Sequence, residues 1–357
     1  MNMGVISFMS IGREWQKFKA MGCFFAKKQN PVFAVYDYVH KKNKYGIKAD
    51  VYFKWGLDSV PFANLASYVS YDEYVNILEN KINNDLEAQK ILRDKGTTLR
   101  RLPPHLLKRE FLDLRYCDFE EFSSFVNRHK KIVVKVYNSA MGNQVNVVDT
   151  EREQFTGEAN KEKLEKVFAD YQKNSLYIIE EYIHQHHEWS RINPDCVNTI
   201  RVHTVKSAEG KYEACWHWLA RFGRKGESID MRNAFVVLVE PESGRIITDA
   251  LDEGVGRCDW FLPRESPMKE MNEAANVRFK DLVVPFKNEI KAVVEEAAAL
   301  FPEITLIGWD VALTEEGPAI VEGNGCPVAF TPIQQLYATI SGGVFYREEL
   351  ENVMKKI

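Results

Sequence analysis

Apolar residues along this chain follow two periods, and the changes between them mark its elements. Over 78–94 they recur at helical spacing through Leu86, Ile91 and Leu92, with Gly96 as a stop. A loop with Pro103-Pro104 follows. Asp118 and Glu121 then form a capping box, which predicts a helix with Phe122, Phe125 and Val126 on its inner face. KIVVKV (131–136) reads as a strand, NSAMGN as a loop of small residues, and QVNVV as a second strand. Residues 160–174 return to helical spacing through Leu164, Val167, Phe168 and Tyr171, and LYIIEEYI reads as a further strand. This order predicts a small α+β lobe.

The second half is strand-rich: NTIRVHTV (198–205), YEACWHWLARFG, then AFVVLVE. One long helix interrupts it, with Pro285 in its first turn and apolar positions at Ile290, Val293, Val294, Ala297, Ala298 and Phe301. Residues 1–75 carry aromatic and basic residues in short helical patterns, without a glycine-rich βα turn.

GWDVALTEEGPAIVEGN predicts a tight hairpin with Glu315-Glu316-Gly317 as a three-residue loop. Such a loop sets Asp310 across from Glu322, and the two-residue repeat of a strand puts Asn324 on the same face. Two carboxylates at cross-strand distance repel each other unless a cation lies between them. Carboxylates plus an amide oxygen are hard donors of the kind that hold Mg²⁺. The alternative is a solvated hairpin with scattered acids, against which stand the apolar flanks VAL and AIV.

Composition narrows the class. With 357 residues, 45% hydrophobic and 27% charged, the chain is long enough for two or three lobes with a sizeable core. A net charge of −4 without a long basic run implies no nucleic-acid partner. No transmembrane segment is expected, and MNMGVISFMSIGREW is a poor signal peptide. Cys23, Cys117, Cys196, Cys215, Cys258 and Cys326 are scattered without a CxxC pair, which points to reduced thiols and a cytoplasmic protein.

Several positions suit phosphate and nucleotide chemistry. Lys135 ends an apolar strand and precedes Ser139, Ala140 and Gly142, where backbone N–H groups can cover phosphate oxygens; the alternative is a lysine snorkelling from a strand end. Glu180, Glu181, Tyr182 and Ile183 end another strand, with Glu188 beyond. Such a strand end can offer backbone hydrogen bonds to a purine edge, and the acid can accept from ribose hydroxyls; an ordinary charged strand end is the alternative. Arg201 in NTIR and Arg221 on the next strand need anionic partners, either a phosphate, a carboxylate or a structural acid. Asn198 joins them as a catalytic candidate only if a bulge brings it to the face of Arg201. The group His184, His186, His187 and Glu188 lacks a zincin spacing and reads as a polar loop in preference to a zinc site.

In order, YGIKADVYFKW, NKINNDLEAQKILRDKG, VVKV with its small-residue loop, IIEEYI, NPDCVNTIRVHTV, LARFGRKGESID and GWDVAL…VEGN resemble the ATP-grasp superfamily over residues 36 to 340, and within it the branch associated with sugar-transfer gene clusters. The resemblance implies an α+β ATP-grasp fold whose two lobes clasp ATP. Its divisions are an N-terminal helical region (1–75), a small lobe (76–180), a large lobe with the metal site (181–345) and a C-terminal helix or tail (346–357). It places Lys81 and Lys135 on phosphates, Glu180 to Ile183 on adenine and Glu188 on ribose. Arg201 and Arg221 face the γ-phosphate and acyl group, and Asp310, Glu322 and Asn324 hold Mg²⁺. The branch's D-N-x-x-x-G-G appears here as Asp230-Met231-Arg232-Asn233-Ala234-Phe235, so Phe235 is expected to narrow the acceptor pocket. The loop after Lys135 carries one glycine where the family has more. The implied activity is a Mg·ATP-dependent carboxylate–amine ligase working through an acyl phosphate. Its expected substrates are a small carboxylate and an amine, such as a sugar acid and an amino acid of cell-surface polysaccharide synthesis. A small-molecule or sugar kinase on the same fold, or a non-catalytic nucleotide-binding partner in glycan assembly, are the alternatives.

Overall fold

The computed structural model describes residues 31–54, 57, 60–137, 145–174, 177–226, 234–253, 268–327 and 329–357. Ser139, Gly142, Asp230, Met231, Arg232, Asn233, Cys23 and Cys258 lie outside them.

The chain begins with α1 (Pro31–Tyr45) and α2 (Ala49–Lys54), then α3 (Tyr71–Ile77), which runs into a π turn at Leu78–Ile82. Helices α4 (Leu86–Arg93), α5 (Lys95–Arg101) and α6 (Pro104–Leu107) follow. The helix expected over 78–94 is therefore broken. Asp85 caps α4 by accepting from the Glu87 and Ala88 amides, and Asp94 caps α5 by accepting from Thr97. Gly96 is not a stop but lies inside α5, where a Cβ would collide with the side chains of Asp113 and Arg115.

A four-stranded antiparallel sheet comes next. It is built from β1 (Phe111–Asp113), β2 (Lys131–Val136), β3 (Val145–Asp149) and β4 (Tyr177–Glu181) in the order β1-β4-β2-β3. Helices α7 (Phe119–Arg128) and α8 (Lys161–Asn174) cover one face. The capping box at Asp118 and Glu121 is present. A cap contributes about 1 kcal/mol, whereas burying Phe122, Phe125 and Val126 contributes roughly 1.5–3 kcal/mol each. The apolar face therefore decides where α7 sits, and the cap decides where it starts.

After a short helix α9 (His187–Ser190) the large antiparallel sheet forms from β5 (Thr199–Lys206), β6 (Tyr212–Phe222), β7 (Phe235–Val239), β8 (Ala250–Asp252) and β9 (Met268–Lys269). A two-stranded pair, β10 (Met271–Asn272) and β11 (Val277–Arg278), precedes α10 (Lys287–Ala299). Then β12 (Leu306–Thr314) and β13 (Gly317–Asn324) complete the order β13-β12-β5-β6-β7-β8-β9, and α11 (Phe330–Ile340) and α12 (Arg347–Lys356) close the chain. Pro285 precedes α10 instead of lying in its first turn, because Phe286, at φ +59°, takes the N-cap position.

Helix α10 packs Ile290, Val294, Ala297 and Ala298 against the face that carries Ile200, Val202, Trp309 and Val311. The opposite face carries Leu219, Val236 and Leu238 under α11 and the π turn. The sequence reading put residues 76–107 in the small lobe. In the structure Leu78 and Ile82, and then Ala88, Leu92, Leu99 and Leu106, join the two cores of the large sheet. Among the described residues no helix is long and apolar enough to cross a membrane.

Candidate active site

Three strands of the large sheet bring one row of charged side chains together. Arg201 on β5 pairs with Asp310 on β12, and Asp310 pairs with Glu322 on β13. The facing of Asp310 and Glu322 is the one read from the sequence, but it arises differently. The hairpin loop has two residues, Glu315-Glu316, and Thr314 pairs with Gly317, which takes φ +107°. That register alone would put Val321 opposite Asp310. A bulge at Val321 shifts the pairing by one residue and restores Glu322 to the position. The next row is His203, Gly308 and Asn324.

The arginine Nε and Nη2 of Arg201 donate to the two oxygens of Asp310 at 2.6 and 2.7 Å, a bidentate fork. Lys95 Nζ lies 3.6 Å from Glu322 Oε2, and Asn324 Nδ2 lies 3.5 Å from Glu322 Oε1. Each carboxylate thus has a cation of the protein beside it, so their mutual repulsion does not itself demand a metal. The donor types do fit one: two carboxylates and an amide oxygen, side by side on one sheet face, are the hard oxygen ligands that Mg²⁺ takes. Arg221 pairs with Thr199 on the same face and meets Glu253 at 2.8 Å. Arg224 meets Asp252, and its guanidinium lies over the ring of Phe235. Phe235 itself is buried in the core against Phe279, so its bulk is spent there and not on narrowing a pocket.

In the small lobe Lys135 Nζ sits 2.9 Å from Glu180 Oε1, and Arg109 Nε sits 2.6 Å from Glu180 Oε2. Glu180 is 2% exposed. Burial pushes its carboxyl up, but the charges and hydrogen bonds of Arg109 and Lys135 outweigh that and hold it at about 2. Its carboxylate is committed inside the protein and does not reach out to a base edge. The Glu181 amide donates to Glu110 O at 3.0 Å and the Tyr182 amide to Lys131 O at 3.2 Å. Ile183 is buried, and Glu188, at the start of α9, is paired with Arg191 at 2.9 Å.

Two expected residues are placed apart from this group. Asn198 is fully buried, where its side chain donates to Gln185 Oε1 at 3.1 Å and accepts from the Gly223 amide at 3.0 Å, pinning two loops. The bulge found in this region lies between Arg201 and His203 in the pairing with β6, beyond Asn198. Lys81 is exposed on the π turn. The lysine that the fold brings to Glu322 is Lys95, whose amide also donates to Tyr137 O just after β2. Its sequence signal is Asp94-Lys95-Gly96-Thr97, a helix cap followed by a lysine in the first turn. Arg109 was also missed. Apart from Leu107 O, its partners Glu180, Ile320 O and Val321 O are distant in sequence, so no local pattern announces it.

His186, His187 and Glu315 present ligand atoms within 4.8 Å of one another. Their hydrogen bonds account for the grouping. Glu315 accepts from the His187 amide at 2.8 Å and meets His187 Nδ1 at 2.9 Å, and His186 Nδ1 accepts from the Glu188 amide at 3.2 Å. An accepting Nδ1 puts the proton of the neutral ring on Nε2, the nitrogen that a metal would require. The cluster caps α9 and fastens it to the hairpin loop.

The four-stranded sheet that carries Lys135 and the seven-stranded sheet that carries the Arg201–Asp310–Glu322 row are the two lobes of an ATP-grasp protein. The family model described as sugar-transfer associated ATP-grasp matches residues 64–340, and the chain belongs to that family. No curated protein matches the sequence. Among solved structures, the chain is similar to the D-alanine-D-alanine ligase of Coxiella burnetii at 10% identity and a TM-score of 0.43, covering 76% of this chain and 58% of that one. It is also similar to the D-alanine–D-alanine ligase of Bacillus anthracis complexed with ATP, at 12% identity and a TM-score of 0.42, covering 75% and 67%. A third is the carboxyaminoimidazole ribonucleotide synthase of Aspergillus clavatus complexed with ATP, at 11% identity and a TM-score of 0.39, covering 72% and 51%. The chain therefore spans about half to two thirds of the length of these proteins.

Proposed function

We propose that this protein is a Mg·ATP-dependent ligase that joins a small carboxylate to an amine through an acyl phosphate, in the cytoplasm, during modification of a cell-surface polysaccharide or its sugar precursor. The observation that carries the reading is the row Arg201–Asp310–Glu322 with Asn324 beside it and Lys95 at its edge. Cations and hard acidic ligands on one sheet face are the groups that phosphoryl transfer needs, since its catalysis is mostly positioning and charge neutralisation.

In this reading Lys95 and Lys135 hold the ATP phosphates and the segment from Glu181 to Glu188 borders the nucleoside. Lys135 would leave Glu180 for a phosphate oxygen, and Arg109 would keep Glu180 neutralised when it does. Arg201 and Arg221 face the transferred phosphoryl group and the carboxylate that receives it. Asp310, Glu322 and Asn324 would hold Mg²⁺, which when bound neutralises charge on the phosphates. The sugar context follows the family description, and the substrates named here, a sugar acid and an amino acid, follow from that context.

Incubating the protein with ATP and pooled sugar acids, with hydroxylamine in place of the amine, tests the chemistry directly. Formation of a hydroxamate with release of ADP and phosphate is expected. A phosphorylated product without hydroxamate would replace this reading with a kinase, and absence of any ATP consumption across sugar acids and amino acids would replace it with a nucleotide-binding partner. Glu322→Gln is expected to abolish turnover; full activity in that variant would remove the metal site and most of the mechanism.

A further inference from the structure

The bulge at Val321 decides which way Glu322 points. Without it, the ladder begun at Thr314 and Gly317 would set Glu322 opposite Trp309 and turn its carboxylate to the face that packs on α10. A bulge interrupts the ladder, and the carbonyls around it need donors from elsewhere. Arg109 supplies them: its Nη1 donates to Ile320 O at 2.6 Å and its Nη2 to Val321 O at 3.1 Å. Its Nε donates to Glu180 Oε2, whose partner oxygen takes Lys135. The Arg109 side chain is 1% exposed, so water does not compete for these bonds.

We propose that Arg109 is a positioning residue. It holds the β13 bulge in the register that presents Glu322 and Asn324 to the site, and through Glu180 it ties that bulge to the lysine-bearing strand of the small lobe. The metal-binding part rests on the functional reading above; the control of register does not. A planar guanidinium serves four acceptors lying in different directions, Leu107 O included; a lysine keeps the charge for Glu180 but donates from one point.

The decisive variants are Arg109→Lys and the paired change Arg109→Met with Glu180→Gln, which leaves no buried unpaired carboxylate. Amide hydrogen exchange on the metal-free protein is the first measurement. Faster exchange confined to residues 318–324, with β5 and β6 protected as in the wild type, is expected. The second is Mn²⁺ binding, followed by its paramagnetic signal in the presence of a non-hydrolysable ATP analogue. Half-saturation should rise about 10–100-fold, as for loss of a group that orients a metal ligand, while in Arg109→Lys, which keeps the Glu180–Lys135 pair, analogue affinity without metal stays unchanged. Exchange and Mn²⁺ affinity like the wild type in Arg109→Lys would overturn the proposal. So would uniform loosening of both sheets, or failure of both variants to fold, because each marks a purely structural arginine. If the wild type binds neither Mn²⁺ nor the analogue, the functional reading fails, and the exchange measurement still decides the role of Arg109 in the bulge.

Discussion

Glu180 and His203 show how single buried groups make stability depend on pH. Glu180 sits at about 2, below an ordinary glutamate. Its contribution is complete above the unfolded value of about 4.3 and is lost as pH falls toward 2, roughly 3 kcal/mol in all. Urea unfolding between pH 5 and 3 should show a steeper loss for the wild type than for Glu180→Gln; parallel curves would mean that the carboxylate is not held low. His203 is fully buried, with neither ring nitrogen hydrogen-bonded. Desolvation, helped by the nearby Arg201 charge, pushes it down to about 3. The folded ring is neutral where the unfolded one binds a proton, so stability is full above about 6.5 and declines toward pH 3, at up to about 1.4 kcal/mol per unit. Replacing His203 with Leu should flatten that slope. Lys135 Nζ lies 2.9 Å from Glu180 Oε1, so Lys135→Ala should disturb the fold as well as nucleotide binding.

At the scale of elements, the β12–β13 hairpin depends on glycines that leave room for larger neighbours. Gly323 lies between Glu322 and Asn324, and a Cβ there would stand 2.7 Å from the ring of the buried Trp309 and 3.1 Å from Leu92. Gly308 is similar, with Pro327 at 2.7 Å and Arg201 Nη1 at 3.2 Å. Gly323→Ala should therefore destabilise the protein by about 1–3 kcal/mol, the usual cost of overpacking, and should impair turnover beyond what its melting temperature explains. An alanine variant with wild-type stability would show that Trp309 can move aside. The pairing of Asp310 with Glu322 was legible because hairpin arithmetic and alternation are local. The bulge was not, because a two-residue loop plus one extra residue leaves the same pairing as a three-residue loop.

At the scale of the whole molecule, the N-terminal helices form a separate apolar cluster, with Val35, Tyr38, Tyr52 and Leu65 packed against Phe345. Arg347 fastens that region to the end of the chain: it donates to Ala66 O at 3.1 Å, to Tyr68 O at 2.7 Å and to Glu73 at 2.7 and 3.0 Å. Gln334 adds a reciprocal pair of bonds with the backbone of Val69. Arg347→Ala should release this clasp, so limited proteolysis is expected to cut faster within 60–70 while the large sheet stays intact. Equal cleavage rates would show that the apolar cluster alone holds the region. Likewise, Asn83 tethers the π turn to the start of β12 through three hydrogen bonds, to Leu306 O and from the Thr305 and Leu306 amides, and to the end of β13 through one, to Gly325 O. That is why residues 71–107 follow the large sheet although they precede the small one in the chain.

By itself the sequence determined the strands around Lys135 and Glu180, the capped helix and the facing of Asp310 and Glu322, because strand alternation, hairpin pairing and caps involve residues close together in the chain. Strand Lys131–Val136 and the capped helix from Phe119 lie where the pattern puts them. Tertiary structure alone decided which cations stand beside the acids. Lys95, not Lys81, meets Glu322, Arg201 forks onto Asp310, and Arg109 joins the lobes. Those pairings depend on distances between strands and helices far apart in sequence, and a charged residue carries no local mark of the partner that folding brings to it.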